Sequence, residues 1–174
     1  MILLGLGSNL SSSFGDRFKN IEAAVNALNG YGIEIVKKSS YYESPSYPNE
    51  KDPKFINIVV EVKTHLPPED LASVLIYIEE TLERKRVNKN EPRTCDIDIL
   101  DYNNQIINFK YQDLDFIVPH KKLIYRNFVL YPLREILPEW KHPFSKVHIN
   151  NLIEKLSNED KKSILKINIS WYIN

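Results

Sequence analysis

Two aspartates separated by a single residue interrupt an apolar stretch at residues 92–100, PRTCDIDIL. In a strand, Asp96 and Asp98 would share one face, while Ile97 and Ile99 would point to the other face and into a core. Two like charges on one face repel each other, and a divalent cation between them would turn that repulsion into coordination. Two carboxylates suit a hard ion such as Mg²⁺. The alternative is a solvated sheet face that carries two charges.

A basic segment precedes the aspartates at residues 83–93, ERKRVNKNEPR. Its cations are Arg84, Lys85, Arg86, Lys89 and Arg93. A guanidinium group presents a planar fork of donors that matches phosphate oxygens, and such groups neutralise the charge that moves in phosphoryl transfer. The dipole at a helix C-terminus is an alternative reason for Arg84 and Arg86, but not for Arg93. An RNA-binding patch is a third interpretation, which the zero net charge of the chain weakens.

A second cluster of polar and aromatic residues lies near position 120. His120 and Arg126 could donate to phosphate oxygens, and Phe128 could stack on a planar ligand. A single histidine is more often structural, so this cluster alone predicts little.

A third cluster combines a proline-containing loop, an aromatic ring and an amide. It consists of Ser44, Pro45, Phe55 and Asn57. An amide can read the edge of a heterocycle, and an aromatic side chain can stack on its face. Core packing is the simpler explanation for Phe55 when nothing else is known.

The glycines near the N-terminus do not complete a common nucleotide-binding loop. Residues 5–10, GLGSNL, contain a Gly-x-Gly pair, but Leu10 stands where a dinucleotide-binding fingerprint needs a third small residue. The chain has no Walker A sequence either. A nucleotide must therefore bind through another arrangement.

The composition predicts one soluble domain over residues 1–174. Hydrophobic residues make up 43% of the chain, which is enough for a core. The 23 basic residues balance 23 acidic ones, which argues against nucleic acid as a partner. The single cysteine, Cys95, excludes an internal disulfide framework and suggests a reducing compartment. No run is as long as a membrane span, and the first residues have the pattern of a strand, so we expect a cytoplasmic protein.

Hydrophobic periodicity predicts the order strand, helix, strand, strand, helix, strand. The predicted strands are residues 2–6, 33–43, 55–62 and 96–102, and the predicted helices follow Asp16 and run from Pro67 to about Arg86. This is the order of a ferredoxin-like split β-α-β fold, an α+β architecture with an antiparallel sheet backed by helices.

The remainder of the chain has weaker signals. Asn103 and Asn104 predict a hairpin turn into a strand at residues 105–109, and residues 87–92 predict a polar loop. Prolines break residues 111–140 into short pieces. A further helix at residues 152–156 and a last strand at residues 164–171 complete a C-terminal extension that we expect to close the domain.

Six segments of the chain resemble those of one enzyme family, in the same order and at nearly the same spacing. They are GLGSNL at 5–10, SSYYESP at 39–45, FINIVVEV at 55–62, IEETLERKR at 78–86, PRTCDIDIL at 92–100 and VPHKKLIYRNFVLYPLREILP at 118–138. The chain resembles the 6-hydroxymethyl-7,8-dihydropterin pyrophosphokinases of folate biosynthesis over roughly residues 1–140. The last two segments are the most distinctive.

The resemblance implies a ferredoxin-like fold and the transfer of pyrophosphate from ATP to the hydroxymethyl group of a pterin, giving AMP. It implies two Mg²⁺ ions, held by Asp96 and Asp98. The residues it implies for ATP are Glu79, Arg84, Arg86, Arg93, Ile99, His120 and Arg126. Those it implies for the pterin are Ser44, Pro45, Phe55, Asn57, Asp96 and Phe128, with the two phenylalanines on either side of the ring. Its catalytic set is Arg84, Arg93, Asp96 and Asp98, and we expect a monomer.

The chain departs from the family pattern at several positions. Glu83 stands where a glycine usually precedes the arginine, and the loop before Pro92 lacks the tryptophan of some relatives. Ile76 stands where some relatives place an amide near adenine, while Cys95 and Asp101 replace apolar residues. None of these changes removes a charged group from the implied phosphate site, so we expect activity.

Overall fold

The observed elements follow the predicted alternation and add several short ones. The computed structural model describes residues 1–86 and 91–168. Its strands are β1 (Ile2–Ser8), β2 (Glu34–Lys38), β3 (Tyr41–Ser44), β4 (Phe55–Lys63), β5 (Asp96–Tyr102), β6 (Ile107–Tyr111), β7 (Leu114–Val118) and β8 (Leu165–Ile167). Its α-helices are α1 (Arg17–Gly30), α2 (Pro68–Thr81), α3 (Asn127–Ile136), α4 (Ile149–Glu154) and α5 (Asn158–Ser163).

One antiparallel sheet organises the molecule. Its strand order is β5-β1-β4-β3-β8, and β2 also pairs with β4. The units β1-α1-β2/β3 and β4-α2-β5 are the two halves of a split β-α-β fold, with β1 and β4 adjacent at the centre. The predicted ferredoxin-like α+β fold is confirmed.

Both faces of the sheet are covered. The first core contains α1 and α2, with Leu28 and Leu75 fully buried against one face of the sheet. The second core lies on the opposite face, where Leu100 and Val59 pack with Leu130 of α3 and residues of α4. The C-terminal extension therefore supplies the layer that covers the second face. None of the helices in the described part of the chain has the length and hydropathy that crossing a membrane requires.

Local signals placed α1 correctly. Asp16 caps it by accepting hydrogen bonds from the backbone N–H groups of Phe18 and Lys19, each at 3.0 Å. Ile21 and Leu28 of this helix are buried, and Phe18 packs at the edge of the same core.

The predicted strand at residues 33–43 is wrong in its continuity, because it is divided into β2 and β3. Ser39 and Ser40 separate the two parts. The Ser39 hydroxyl accepts from the backbone N–H of Val59, and the Ser40 N–H donates to the Glu135 carboxylate of α3 at 3.2 Å. The Ser39 N–H still donates to the carbonyl of Val59 at 3.0 Å, so the break lies at Ser40, whose N–H is directed to α3.

The second helix ends earlier than predicted, at Thr81 and not near Arg86. Glu83 adopts a left-handed conformation, with φ of 67°. Its N–H donates to the carbonyl of Glu80 at 2.9 Å, and the N–H of Arg84 donates to the carbonyl of Glu79 at 3.0 Å. These two bonds form a Schellman motif, which satisfies the last carbonyls and ends the helix.

The predicted hairpin after β5 is also wrong in its pairing. The turn exists, since Asn103 and Asn104 have φ of 54° and 56°. However, the Asn103 N–H donates to the carbonyl of Met1, and the Asn104 N–H donates to the Asp101 carboxylate. The chain therefore leaves β5, and β6 pairs with β7 as a separate two-stranded sheet.

Two predicted segments include residues that lie outside the part of the chain that the structure describes. The polar loop at 87–92 includes residues 87–90, and the predicted last strand ended at Trp171. The described part of that strand is β8, which pairs with β3. The predicted helix at residues 152–156 is α4, which begins three residues earlier and ends two residues earlier.

Candidate active site

The two aspartates occupy the exposed end of β5 as the alternation predicted. Ile97 and Ile99 are buried in the first core, with 5% and 4% of their surface exposed. Asp96 and Asp98 are only partly buried and lie on the opposite face, which continues into the second core at Leu100. Because the two isoleucines that alternate with the aspartates are buried on one face of the strand, both carboxylates point to the other face.

Strand register places Asn57 and Asp96 in one row. Gly7 of β1 lies opposite Asn57 of β4 on one side and opposite Asp96 of β5 on the other. Residues opposite each other in an antiparallel ladder point to the same face. Two strand spacings therefore separate the amide from the carboxylate, which is about 10 Å.

Gly7 leaves space in the middle of this row. A Cβ atom there would lie 3.2 Å from Asn57 Oδ1 and 3.5 Å from Phe55 Cδ1. A side chain at residue 7 would therefore crowd the Asn57 amide and the Phe55 ring. The gap that glycine leaves beside these two groups is called the Gly7 slot.

Asp96 is paired with two arginines of the basic segment. Arg84 Nη1 lies 2.6 Å from Asp96 Oδ1 and 2.6 Å from Glu79 Oε1, so one guanidinium joins two carboxylates. Arg93 Nε lies 3.4 Å from Asp96 Oδ2. Burial would raise the pKa of Asp96, but Arg84 and Arg93 outweigh it and hold the pKa below its usual value. Asp96 is therefore ionised and available as an oxygen ligand.

Asp98 has its own pair of cationic partners. Arg126 Nη1 donates to Asp98 Oδ2 at 2.9 Å, and His120 Nε2 lies 3.9 Å from the same oxygen. Burial lowers the pKa of His120, although Asp98 opposes the shift. His120 and Arg126, which the sequence analysis grouped together, thus both contact Asp98.

Glu79 serves as an internal anchor for the basic segment. Its carboxylate is 2% exposed, accepts from the Ile97 N–H at 2.7 Å, and contacts both Arg84 and Arg86. Burial raises the pKa of Glu79, while Arg84 and Arg86 oppose the shift. The resemblance associated Glu79 with ATP, and in the structure its oxygens accept from protein donors.

One cavity brings together all seven residues that the sequence associated with ATP. Its lining includes Glu79, Arg84, Arg86, Arg93, Ile99, His120 and Arg126, together with Asp96 and Asp98. The apolar part of the lining, called the apolar wall, comes from Leu75 and Ile76 of α2 and from Leu114, Phe116 and Val118 of β7, where Asp115 also lines the cavity. Sequence reasoning missed β7, although its alternating pattern LDFIV was the available signal.

Four of the residues associated with the pterin, Ser44, Pro45, Phe55 and Asn57, lie on the β4 side of Gly7, whereas Asp96 is in β5 and Phe128 is in α3. Asn57 Nδ2 donates to Ser44 Oγ at 2.9 Å and to the carbonyl of Tyr42 at 3.3 Å. Both amide protons are thereby used, so a ligand donor would meet Asn57 Oδ1. Ser44 and Asn57 are buried, and Pro45 follows at the start of the loop.

Each predicted stacking ring already lies against an arginine of the cavity. The Arg93 guanidinium is 5.2 Å from the ring centre of Phe55, and that of Arg126 is 5.4 Å from the ring centre of Phe128. The contact between Arg93 and Phe55 connects the β4 side of the site to the cavity, and that between Arg126 and Phe128 joins the start of α3 to it.

The comparisons with known proteins decide the family. A family model described as 7,8-dihydro-6-hydroxymethylpterin-pyrophosphokinase (HPPK) matches residues 3–138. The chain belongs to this family. The resemblance predicted from the six segments is confirmed.

Curated HPPK relatives match most of the chain. The 2-amino-4-hydroxy-6-hydroxymethyldihydropteridine pyrophosphokinase of Aquifex aeolicus is 39% identical over 82% of this chain and 83% of its own length. The Synechocystis protein of the same name is 34% identical over 88% and 75%. The folic acid synthesis protein fol1 of Pneumocystis carinii is 37% identical over 94% of this chain, which spans only 21% of that relative.

Solved structures of Plasmodium falciparum HPPK-DHPS share the fold. The wild-type protein superposes with a TM-score of 0.69 at 19% identity, over 88% of this chain and 44% of that one. A form determined with pterin and p-hydroxybenzoate superposes with a TM-score of 0.74 at 18% identity, over 95% and 47%.

The structure accounts for two departures from the HPPK pattern. Cys95 is buried in the first core, and burial raises the pKa of its thiol well above the usual value, so it is an unreactive packing residue. Asp101 is fully buried and accepts from Trp140 Nε1 at 3.2 Å, which ties the C-terminal layer to β5. Ile76 lies in the apolar wall of the cavity.

Asn9 is a site residue that sequence reasoning did not single out. Its Oδ1 accepts from the Arg93 N–H at 2.7 Å, and its own N–H donates to the Arg93 carbonyl at 3.0 Å. Its Nδ2 donates to Ser46 Oγ at 3.1 Å and to the carbonyl of Pro53 at 2.9 Å. Asn9 thereby joins the basic segment to the loop after β3. A polar residue inside the GLGSNL segment was the available signal.

The aspartate pair fits Mg²⁺ as a partial ligand set. Among residues 1–86 and 91–168, no three His, Cys, Asp or Glu side chains are grouped closely enough to hold a metal by themselves. Mg²⁺ is commonly held by one or two carboxylates, with phosphate oxygens and water completing an octahedron. Asp96 and Asp98 therefore fit an ion that arrives with a nucleotide.

Proposed function

We propose that this chain transfers pyrophosphate from ATP to 6-hydroxymethyl-7,8-dihydropterin, giving AMP and the pterin pyrophosphate for folate biosynthesis. One observation carries the proposal: Asn57 and Asp96 flank Gly7 in a single row. The amide suits the edge of a pterin, and the carboxylate suits the metal-bound phosphates. The row therefore has the two recognition groups that a reaction between these substrates requires.

We infer that ATP occupies the cavity between β5 and β7. The apolar wall formed by Ile76, Leu114 and Phe116 suits a nucleobase, whereas the cationic wall suits the triphosphate. Arg86, His120 and Arg126 would then bind phosphate oxygens. Backbone groups near Ile99 would contact the nucleotide, because its side chain is directed into the core.

The proposal assigns two Mg²⁺ ions to Asp96 and Asp98. Asp96 and Asp98 would hold the ions, which would supply positive charge near the phosphates and lower the pKa of a hydroxyl group. Asp96 is ionised under the influence of Arg84 and Arg93, so it can accept a cation without first losing a proton. Asp98 is held at the mouth of the same cavity by Arg126.

Arg84 and Arg93 act on the transferred group in this proposal. The hydroxymethyl oxygen of the pterin attacks the β-phosphorus of ATP and releases its proton to water, while the bond from the β-phosphorus to the α-phosphate oxygen breaks and AMP departs with its electrons. Negative charge shifts towards AMP in this step, and a guanidinium fork offers donors to it. Both arginines contact Asp96, so they start within reach of the reacting phosphates.

The pterin would lie over the Gly7 slot. Asn57 Oδ1 would accept from a donor on the heterocycle, while Ser44 fixes the amide orientation. The backbone around Pro45 would read the remaining edge, and Phe55 and Phe128 would stack on the two faces of the ring.

Phosphorus NMR of the full chain with ATP, Mg²⁺ and 6-hydroxymethyl-7,8-dihydropterin tests this function. We expect equal amounts of AMP and pterin pyrophosphate. Formation of ADP, or no turnover under conditions in which the chain is folded, would contradict the proposal. We also propose an active monomer, which size-exclusion chromatography with light scattering can check.

A further inference from the structure

The turn that ends α2 sets the direction of Arg84. Glu83 holds φ of 67°, a conformation that residues with a Cβ rarely adopt, and Arg84 follows directly. The Schellman bonds from Glu83 and Arg84 depend on this conformation. A change in the turn would therefore redirect the Arg84 guanidinium relative to Asp96.

Ser13 holds the side chain of Glu83. The Ser13 N–H donates to Glu83 Oε2 at 3.2 Å, and its hydroxyl donates to Glu83 Oε1. These hydrogen bonds hold the pKa of Glu83 below its usual value, so the carboxylate is ionised and the bonds are charge-assisted. The contact joins residues that are 70 positions apart in the chain. It is therefore a tertiary contact and not part of the helix cap.

The segment that carries Ser13 is itself fixed. Ser12 and Gly15 exchange two backbone hydrogen bonds, at 2.9 and 3.1 Å, and the Phe14 N–H donates to Ser12 Oγ. Asn9, at the start of the same segment, binds the backbone of Arg93. Residues 9–15 thus contact the basic segment at two places, one beside Arg84 and one at Arg93.

We propose that Ser13 and Glu83 form a clasp that positions Arg84 for the transfer reaction. The inference rests on the proposed function, in which Arg84 acts on the transferred phosphate. Ser13 and Glu83 are positioning residues here, because their contact acts through the backbone of Arg84. A purely structural contact would affect stability and leave turnover per folded molecule unchanged.

The variant Glu83→Gly distinguishes a contact that positions Arg84 from a contact that only stabilises the fold. Glu83→Gly relieves the left-handed conformation but removes the carboxylate, so the thermal midpoint should stay the same or rise. We expect kcat for AMP formation to fall by about tenfold in Glu83→Gly and in Ser13→Ala, with the KM for ATP little changed. Glu83→Gln keeps an acceptor for Ser13 and should recover most of the rate. Ser11→Ala, an exposed change in the same segment, is the matched control.

The double variant tests whether the two residues act together. In the Glu83→Gly background, Ser13→Ala should cause no further loss, since the contact is already absent. Additive losses, or a kcat near that of wild type in either single variant, would overturn the clasp.

Amide hydrogen exchange tests the clasp without reference to activity. Ser13→Ala should speed exchange at the Arg84 N–H by about tenfold in the otherwise wild-type chain and not in Glu83→Gly. Unchanged protection at Arg84 would refute the clasp even in an active enzyme. If the wild-type chain forms no AMP, the proposed function fails, and the exchange result still decides whether the clasp holds Arg84 in place.

Discussion

Arg84 and Asp96 share a hydrogen bond of 2.6 Å, which pairs the proposed phosphate ligand with the proposed metal ligand. When Asp96 binds a cation, it exchanges the positive Arg84 for another positive group. When Arg84 binds a phosphate, it exchanges the negative Asp96 for another negative group. The electrostatic cost of separating them is therefore offset by the incoming Mg²⁺ and nucleotide. We therefore expect that replacing Arg84 or Asp96 lowers turnover more than it lowers the free energy of unfolding.

Neutralising either aspartate should abolish most of the activity. Asp96→Asn and Asp98→Asn keep side-chain size but remove an ionised metal ligand, so kcat should fall by at least about 100-fold. Circular dichroism and the urea midpoint should remain close to wild type. Asp113→Asn, at an exposed turn where asparagine tolerates the positive φ, is the control and should retain full turnover. Near-normal turnover in either site variant would contradict the metal assignment.

Truncating Arg93 should depress turnover more than stability. Its side chain contacts Asp96 and the ring of Phe55, while Asn9 holds only its backbone. Arg93→Ala should therefore lower kcat by about 100-fold and leave the fold intact. Arg93→Lys keeps the charge but not the fork, so it should recover only part of the rate. If Arg93→Ala unfolds in urea far earlier than wild type, the residue has a structural role instead.

A methyl group at Gly7 should weaken pterin binding selectively. The new Cβ would lie 3.2 Å from Asn57 Oδ1, within the slot proposed for the pterin. Gly7→Ala should raise the KM for the pterin by about tenfold, and the KM for ATP should change little. Gly30→Ala is the matched control, because a Cβ at Gly30 meets nothing within 4 Å. Equal effects on both KM values would show that Gly7 does not border the pterin.

Glu135 should make stability depend on pH in the acidic range. It accepts from the Ser40 hydroxyl at 2.7 Å and from the Tyr42 hydroxyl at 2.8 Å. Burial would raise the pKa of Glu135, but these bonds and nearby Lys166 hold it below the ordinary value of 4.5. The unfolded chain therefore binds more protons in this range, so the contribution is complete above about pH 4.5 and disappears as the pH falls through the folded-state pKa.

Glu135→Gln isolates this contribution. At pH 7 the variant should lose about 1–2 kcal/mol of unfolding free energy, and the difference from wild type should shrink below pH 4. Urea unfolding at both pH values measures it. Glu139→Gln, whose side chain is 90% exposed, is the control and should stay within about 0.5 kcal/mol of wild type. If the difference in unfolding free energy between Glu135→Gln and wild type is the same at both pH values, protonation of Glu135 does not contribute to the pH dependence of stability.

Short-range patterns in the sequence predicted much of the site. Period-two alternation correctly placed Asp96 and Asp98 opposite the buried Ile97 and Ile99, and the cap at Asp16 correctly located α1. The seven residues associated with ATP line one cavity. These successes share a cause: side-chain direction and capping depend on residues only a few positions apart, so they are readable from the chain itself.

The tertiary structure decided what those residues face. The row that joins Asn57, Gly7 and Asp96 depends on the register between strands that are distant in sequence. Likewise, the early end of α2 rests on a left-handed Glu83 whose carboxylate is held by Ser13. Part of the apolar wall of the cavity comes from β7, which the sequence did not predict. By itself the sequence determined the residue types, the family resemblance and the local faces. Register and long-range contacts follow from packing both layers of helices on the sheet, which no local pattern encodes.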